Sequence, residues 1–302
     1  GFEAVFIAAG AQKSQHIGIP GEADGLTDFK YGLSFLRDIK IGQQVEVGKR
    51  VAVIGGGNVA LDAARTALRL GAGEVSIFYR RSRDEMPVTE VEYDEAVAEG
   101  VHFNFLTSPT RIESKNGRAT GMKCTHMHLG EPDASGRRKP VPVPDSEFCI
   151  DADTIIAAVG QAPDLSFLPS DSALERTSWE TLVVDSNKLS TNVPGIFAGG
   201  DFVSGPGMVI EAIAAGRRAA VAIDKYLSND SGRVELYDLK RHGRAEGGIS
   251  QDEEDWGTQP RLEMPKLAVA ERRSSFDEIE RGFSEEMARR EARRCLRCDL
   301  ET

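Results

Sequence analysis

A chain of 302 residues has room for two domains of ordinary size, and its 40% hydrophobic and 28% charged residues are those of a folded protein rather than a disordered one. No apolar run nears the roughly 20 residues of a membrane helix, and 37 basic against 48 acidic residues, a net charge of −11, lack the basic footprint of a nucleic-acid binder. Four cysteines are too few and too unevenly spaced for a secreted disulfide framework, so a reducing, cytoplasmic compartment is expected. The 31 glycines fall in clusters, where a backbone must approach something closely.

The chain enters at once on an apolar strand, residues 4–9, that ends in Gly10. A strand buried on both faces needs neighbours and nothing precedes this one, so a missing N-terminal part is expected. Residues 18–48 are Gly-rich and polar around one amphipathic stretch at 29–36, which reads as a connector carrying a helix, and a domain boundary is expected near Gly48. Next come a strand at 50–54, a glycine turn, and a helix of alanines and leucines that runs to Leu70 and stops at Gly71. A strand at 75–79, a helix at 90–99 and a strand at 101–105 complete a βαβαβ series, which implies a parallel sheet. After Thr110 the pattern turns antiparallel. Asn116-Gly117 separates two runs, and a Pro- and Arg-bearing excursion at 130–144 returns at 147–150. Two further apolar strands, 154–159 and 195–198, end in Gly160 and in Gly199-Gly200-Asp201, and an alanine-rich helix follows at 209–227. Residues 228–270 are polar. Ser284 is an expected N-cap for a basic helix beginning at Glu285, near whose end lies Cys295-Leu296-Arg297-Cys298.

The chemistry starts at Gly55-x-Gly57-x-x-Ala60, which lies between a strand and a helix, the context in which this pattern binds a dinucleotide. Gly55 permits the tight turn, Gly57 admits a pyrophosphate to the backbone, and Ala60 keeps helix and strand close. An NAD site would place an acid about 20 residues further on. Here that position falls on Arg80, within Tyr79-Arg80-Arg81-Ser82-Arg83, so two or three guanidiniums await a 2′-phosphate and NADP(H) is favoured. Gly199-Gly200-Asp201 before a glycine-flanked helix suits a second dinucleotide, with the carboxylate accepting from a ribityl hydroxyl; an ordinary turn is the competing reading. Cys295 and Cys298 have the spacing of half a metal or cluster site, and a redox disulfide is the alternative. Cys124 and Cys149 are read as buried small hydrophobes, and His126 and His128 as strand residues without further ligands.

These stretches together resemble the flavin-dependent NADPH oxidoreductases similar to the glutamate synthase small (beta) subunit. The likeness is carried by residues 51–65, by Tyr79-Arg80-Arg81 with Glu85-Met86-Pro87, by Leu129-Gly130-Glu131-Pro132-Asp133, and by Phe197-Ala198-Gly199-Gly200-Asp201; it extends over about 1–227, with the cysteine tail resembling an extension of some members. It implies an α/β, two-dinucleotide-binding Rossmann-like fold in which an NADP(H) domain (48–160) is inserted in an incomplete FAD domain (1–47 and 161–228), followed by a C-terminal extension (229–302). It further implies that Ala9, Gly10 and Gly160 are crossing points between domains, and that Gly200, Asp201, Gly207, Met208 and Val209 touch FAD. Gly55, Gly56, Gly57, Asn58, Val59, Ala60, Arg80 and Arg81 would hold NADPH. Family members carry an earlier glycine fingerprint for FAD and N-terminal cluster cysteines, which this sequence lacks, so another polypeptide or a missing segment is expected to complete the site. The expected function is electron transfer between NADP(H), FAD and iron–sulfur centres, a [4Fe-4S] cluster on Cys295 and Cys298 included, to an iron–sulfur or catalytic partner subunit, with no single acid–base residue as catalyst. The competing function is an NADP(H)-binding scaffold without flavin chemistry of its own.

Overall fold

The computed structural model describes residues 1–132, 136–169, 171–228 and 260–294. The chain divides into two compact units, Gly1–Asp238 and Leu239–Thr302.

The first unit is organised around a five-stranded parallel sheet. In chain order its elements are β1 (Val5–Ile7), β2 (Lys13–Ser14), β3 (Phe29–Tyr31), α1 (Gly32–Lys40), β4 (Arg50–Ile54), α2 (Asn58–Arg69), β5 (Glu74–Tyr79), α3 (Glu90–Ala98) and β6 (Val101–Phe105). There follow β7 (Thr107–Lys115), β8 (Arg118–Pro132), β9 (Arg138–Asp151), β10 (Thr154–Ala157), β11 (Gln161–Ala162), β12 (Ile196–Ala198), α4 (Asp201–Ser204) and α5 (Val209–Leu227). The large sheet has the order β3-β10-β4-β5-β6, with all four pairings parallel.

Both faces of this sheet are covered, which explains why its strands read as continuous apolar runs rather than alternating ones. Val51 and Val53 of β4 face one way and pack with Leu61, Ala64, Val75, Ile77 and Phe35 beneath the helices. Ala52 and Ile54 face the other way and pack with Phe78, Ile112, Met122, Cys124 and Ile155 beneath the antiparallel strands. In α2 the positions meeting the sheet are alanines, Ala60, Ala63, Ala64 and Ala67, all fully buried, so the helix axis lies close to the strands. A polar tie joins α2 to the end of α3. Glu99 is fully buried and accepts from Arg65 Nε at Oε2 (3.0 Å) and Nη2 at Oε1 (2.6 Å), while Arg69 Nη1 also lies 3.1 Å from Oε2 and Arg65 reaches Glu95 at 3.1 Å.

The antiparallel segment is a three-stranded meander, β7-β8-β9. The turn foreseen at Asn116-Gly117 is present, with both residues at positive φ, 53° and 74°. The excursion at 130–144 is a hairpin on the same domain, as expected: it is the far part of the β8–β9 ladder, which stays paired out to Pro132 and Arg138 through two register shifts. Cys124 points into the core and is fully buried, whereas Cys149, expected to be buried, is exposed: it pairs with Lys123 on the outer face. Burial pushes the Cys124 thiol up to about 12. Since the thiolate is the nucleophile, an alkylating reagent at neutral pH is expected to label Cys149 and to spare Cys124 until the protein unfolds. Mass mapping of labelled peptides checks this, and rapid native labelling of Cys124 would contradict its burial between the sheet and the meander.

The segment read as a connector contributes more than a link. Its β3 forms an edge of the parallel sheet on β10, and its α1 packs on α2. The remaining strands are sparse: β1 pairs with β12 in parallel, and β2 pairs with β11 antiparallel, Gln161 opposite Ser14 and Ala162 opposite Lys13. Leu165, Leu174, Leu182, Ala198 and Phe202 form a separate small core there.

In the second unit the described residues hold α6 (Val269–Arg272) and α7 (Glu285–Ala292). Ser284 caps α7 as expected, its hydroxyl accepting from Met287 N at 3.2 Å. Cys295 and Cys298 lie outside the described residues. Among those described, no helix is long and apolar enough to cross a membrane.

Candidate functional site: two nucleotide cradles

In the parallel sheet the chain leaves β4 on one side towards β5 and β6, while β10 lies on the other side, so the sheet reverses its order between β4 and β10. In open α/β sheets ligands bind beyond the carboxyl ends of strands at such a reversal. Gly55 stands at that point. Its φ of 144° is open to glycine, and a Cβ there would lie 2.2 Å from the Ala158 carbonyl oxygen at the end of β10. Gly56 has a different reason to be glycine, since a Cβ would run into the Tyr79 ring at 2.4 Å.

Gly57 differs from both. Its backbone is extended, φ −98° and ψ −178°, which any residue adopts, and a Cβ would meet nothing within 4 Å. Neither backbone strain nor protein packing calls for glycine there, and the missing side chain leaves the start of α2 open to an approaching group. That helix start has no side-chain cap and no acid in its first turn, so its positive dipole end and the N–H groups around Asn58 and Val59 suit an anion. Ala60 N, already inside the helix, donates to Gly57 O at 2.9 Å. A dinucleotide pyrophosphate therefore fits the cradle.

The loop after β5 stands at the next strand end. Arg80 is exposed, whereas its neighbour Arg81 is only 5% exposed and donates from Nε to the carbonyl oxygen of Arg138 in β9, at 2.9 Å. The structure thus separates two residues that the sequence pattern groups as one clamp. Glu85 closes the same loop. It accepts from the Ser82 hydroxyl and from Ser82 N (3.3 Å), and Arg138 Nε donates to its Oε1 at 2.7 Å. The Ser82 hydrogen bond first, and then Arg138, hold its carboxyl below the usual carboxylate range, so it is charged at neutral pH. Tyr79 OH, donating to Glu85 O at 2.9 Å, braces the loop. Glu85 and Arg138 were not foreseen as site residues. Arg138 lies 57 positions beyond Arg81, and only the hairpin's length brings it back.

The second cradle gathers most of the other residues singled out. A cavity of about 230 Å3 is lined by Phe6, Gly10, Gly200, Asp201 and the start of α5, Gly207, Met208 and Val209. Asp201 Oδ1 accepts from Gly207 N at 3.2 Å and so joins the strand end to the helix start. Glu211 reaches back to accept from Met208 N at 2.9 Å. Gly199 packs under Phe6, where a Cβ would stand 3.0 Å from the ring. The Asp201 carboxylate and the glycine-lined cavity at this helix start fit part of a flavin nucleotide. Ala9 is exposed beside Gly10 and is not part of the lining. Gly160 sits apart from this cavity, in the antiparallel crossing, where its carbonyl accepts from Gln15 N at 3.0 Å.

Two cradles, one on a complete parallel sheet and one on a sparse pair of strands, define a two-dinucleotide oxidoreductase. The chain belongs to the pyridine nucleotide-disulphide oxidoreductase family, whose model matches residues 1–216. It is 47% identical over 301 residues to the NADP(+)-dependent formate dehydrogenase subunit beta of Moorella thermoacetica, covering 98% of this chain and 42% of that protein. It is 38% identical over 236 residues to the glutamate synthase [NADPH] small chain of Azospirillum brasilense, covering 74% of this chain and 48% of that one. Among solved structures, the thioredoxin reductase of T. acidophilum superposes with a TM-score of 0.56 at 26% identity, covering 76% of this chain and 66% of that chain. The chain spans less than half the length of these two curated relatives. The expected likeness to glutamate synthase small chains and the two-dinucleotide α/β fold are thereby borne out, and FAD and NADP(H) are the cofactors of this class.

Proposed function

We propose that this chain is the NADP(H)-binding, flavin-facing part of an electron-transfer oxidoreductase, passing electrons between NADP(H), FAD and iron–sulfur centres to a partner subunit. One observation carries the reading: Gly57, glycine without a packing reason, opens an uncapped helix start beside a strand end that presents Arg80. The phosphorylated coenzyme is favoured because Arg80 occupies the place where an NAD site has an acid. The names of the relatives, one NADP(+)-dependent and one an NADPH enzyme, support the same choice. Bound FAD supplies the step between a two-electron hydride donor and one-electron acceptors.

The chain's own residues bind and orient. The start of α2 holds the pyrophosphate and Arg80 the 2′-phosphate, while Asp201 and the backbone at the start of α5 line one side of the flavin nucleotide. Delivery to a partner through iron–sulfur centres rests on the spacing of Cys295 and Cys298 and on the subunit names of the relatives.

The test is a visible spectrum of the protein with its natural partners, before and after anaerobic addition of NADPH. Flavin bands that bleach over a broad iron–sulfur shoulder are expected. A colourless protein that binds NADPH would leave the scaffold reading in its place. For the coenzyme, Arg80→Ala is expected to weaken NADPH binding roughly 10–100-fold, the worth of a charge-assisted phosphate contact, and to leave NADH binding nearly unchanged. Fluorescence titration with both coenzymes reads the difference.

A further inference from the structure

We infer that the β8–β9 hairpin is part of the coenzyme site: Arg138 masks the Glu85 carboxylate and thereby sets the preference for the phosphorylated coenzyme. The inference rests on the reading of residues 55–60 and Arg80 as an NADP(H) site.

The loop after β5 would receive the 2′ substituent of the adenosine ribose. A carboxylate in this region is what an NAD site uses, because it accepts from the free 2′-hydroxyl and repels a 2′-phosphate. This loop contains such a carboxylate. Glu85 is five residues past Arg80, its side chain 8% exposed and held in the loop by Ser82 N and the Ser82 hydroxyl. Left alone, its negative charge would oppose a dianionic phosphate at Arg80, and opposition of that kind acts strongly in a partly buried place. It is not left alone, because Arg138 Nε stands 2.7 Å from Glu85 Oε1.

Arg138 is well suited to the task. Its side chain is 49% exposed, so the guanidinium covers Glu85 at the rim of the loop with one side still towards solvent. Its backbone is fixed independently: its carbonyl accepts from the buried Arg81, and the strand register sets Arg138 opposite Pro132. Arg81 is then a positioning residue that anchors the hairpin, while Arg80 is the group that meets the phosphate. The hairpin's length also acquires a purpose, since a shorter one would not bring residue 138 back to residues 81 and 85.

The test measures the affinity of the assembled protein for NADPH and NADH, and for 2′,5′-ADP and 5′-AMP as adenosine-end probes. Arg138→Ala is expected to weaken NADPH and 2′,5′-ADP about tenfold while NADH and 5′-AMP stay within about twofold, since only the phosphate meets the unmasked acid. Arg138→Lys keeps the charge and should retain the preference. The double variant Arg138→Ala with Glu85→Gln should recover most of the lost NADPH affinity with NADH affinity unchanged throughout, a selectivity that a merely structural ion pair would not show. Equal losses for both coenzymes, no loss in Arg138→Ala, or no recovery in the double variant would each overturn the inference. Arg80→Ala separates this failure from that of the underlying reading. If Arg80→Ala leaves NADPH binding intact the site itself is misread, whereas if it weakens NADPH and Arg138→Ala does not, only the hairpin's role falls.

Discussion

Replacing Gly55 by alanine is expected to remove about 3–5 kcal/mol of stability. Two costs combine. An L-residue at a φ of 144° carries backbone strain of about 1–3 kcal/mol, and a methyl group 2.2 Å from the Ala158 carbonyl must push apart the ends of β4 and β10. That boundary has little freedom, because Ala158 N already donates to Ile54 O at 2.7 Å. Against a total of about 5–15 kcal/mol the loss is large enough to leave a sizeable unfolded fraction. Chemical denaturation read by circular dichroism measures it. Gly57→Ala, two residues on, supplies the contrast. With ordinary dihedrals and nothing within 4 Å, its stability should change by well under about 1 kcal/mol, while NADPH affinity falls roughly 10–100-fold. If Gly57→Ala bound NADPH normally, the cradle would have lost the observation on which it stands.

Glu99→Ala is expected to have an effect of similar size. Glu99 is fully buried, and its removal leaves Arg65 and Arg69, 13% and 8% exposed in their side chains, with Glu95, 3.1 Å from Arg65, as the acid still in contact. Breaking a buried pair from one side costs about 3–5 kcal/mol, since the remaining charge has lost its compensation. A guanidinium keeps its proton in any protein environment, so neither arginine can relieve the loss by becoming neutral. A drop in thermal midpoint of roughly 10 °C is the expected reading. A drop of only a degree or two would mean that the helices close over the gap without the ion pair.

Much of this was visible in the sequence because the signals were local. The glycine turn between 50–54 and the following helix, the Asn116-Gly117 turn and the Ser284 cap each depend on a few adjacent residues, and each stands where it was expected. The chain cannot display which distant residues meet. Residues 18–48 looked like a connector because β3 is only three residues long; its pairing with β10, well over a hundred residues away, makes it a strand. Arg80 and Arg81 look equivalent in one dimension, but alternation at the end of β5 sends one outward and one inward. Glu85 was visible as part of a motif, yet its meaning depends on Arg138, which only the hairpin supplies. The opposite exposure of Cys124 and Cys149 likewise follows from strand register, which composition does not encode.

The position of β10 inside the large sheet has a consequence in time. Arg50 and Asp153, whose side chains join the foot of β4 to the foot of β10, are 103 positions apart. During synthesis at about 5–20 residues per second, β4 exists for roughly 5–20 s before the strand that must lie against it has been made, and β3 has no place in the sheet until then. The meander between them consists of near-neighbour contacts and needs no such wait. The newborn chain therefore completes its antiparallel part first and carries an open, apolar parallel edge at β4 meanwhile. That interval is when a chaperone has the most to protect, and slower translation across 101–153 would lengthen it.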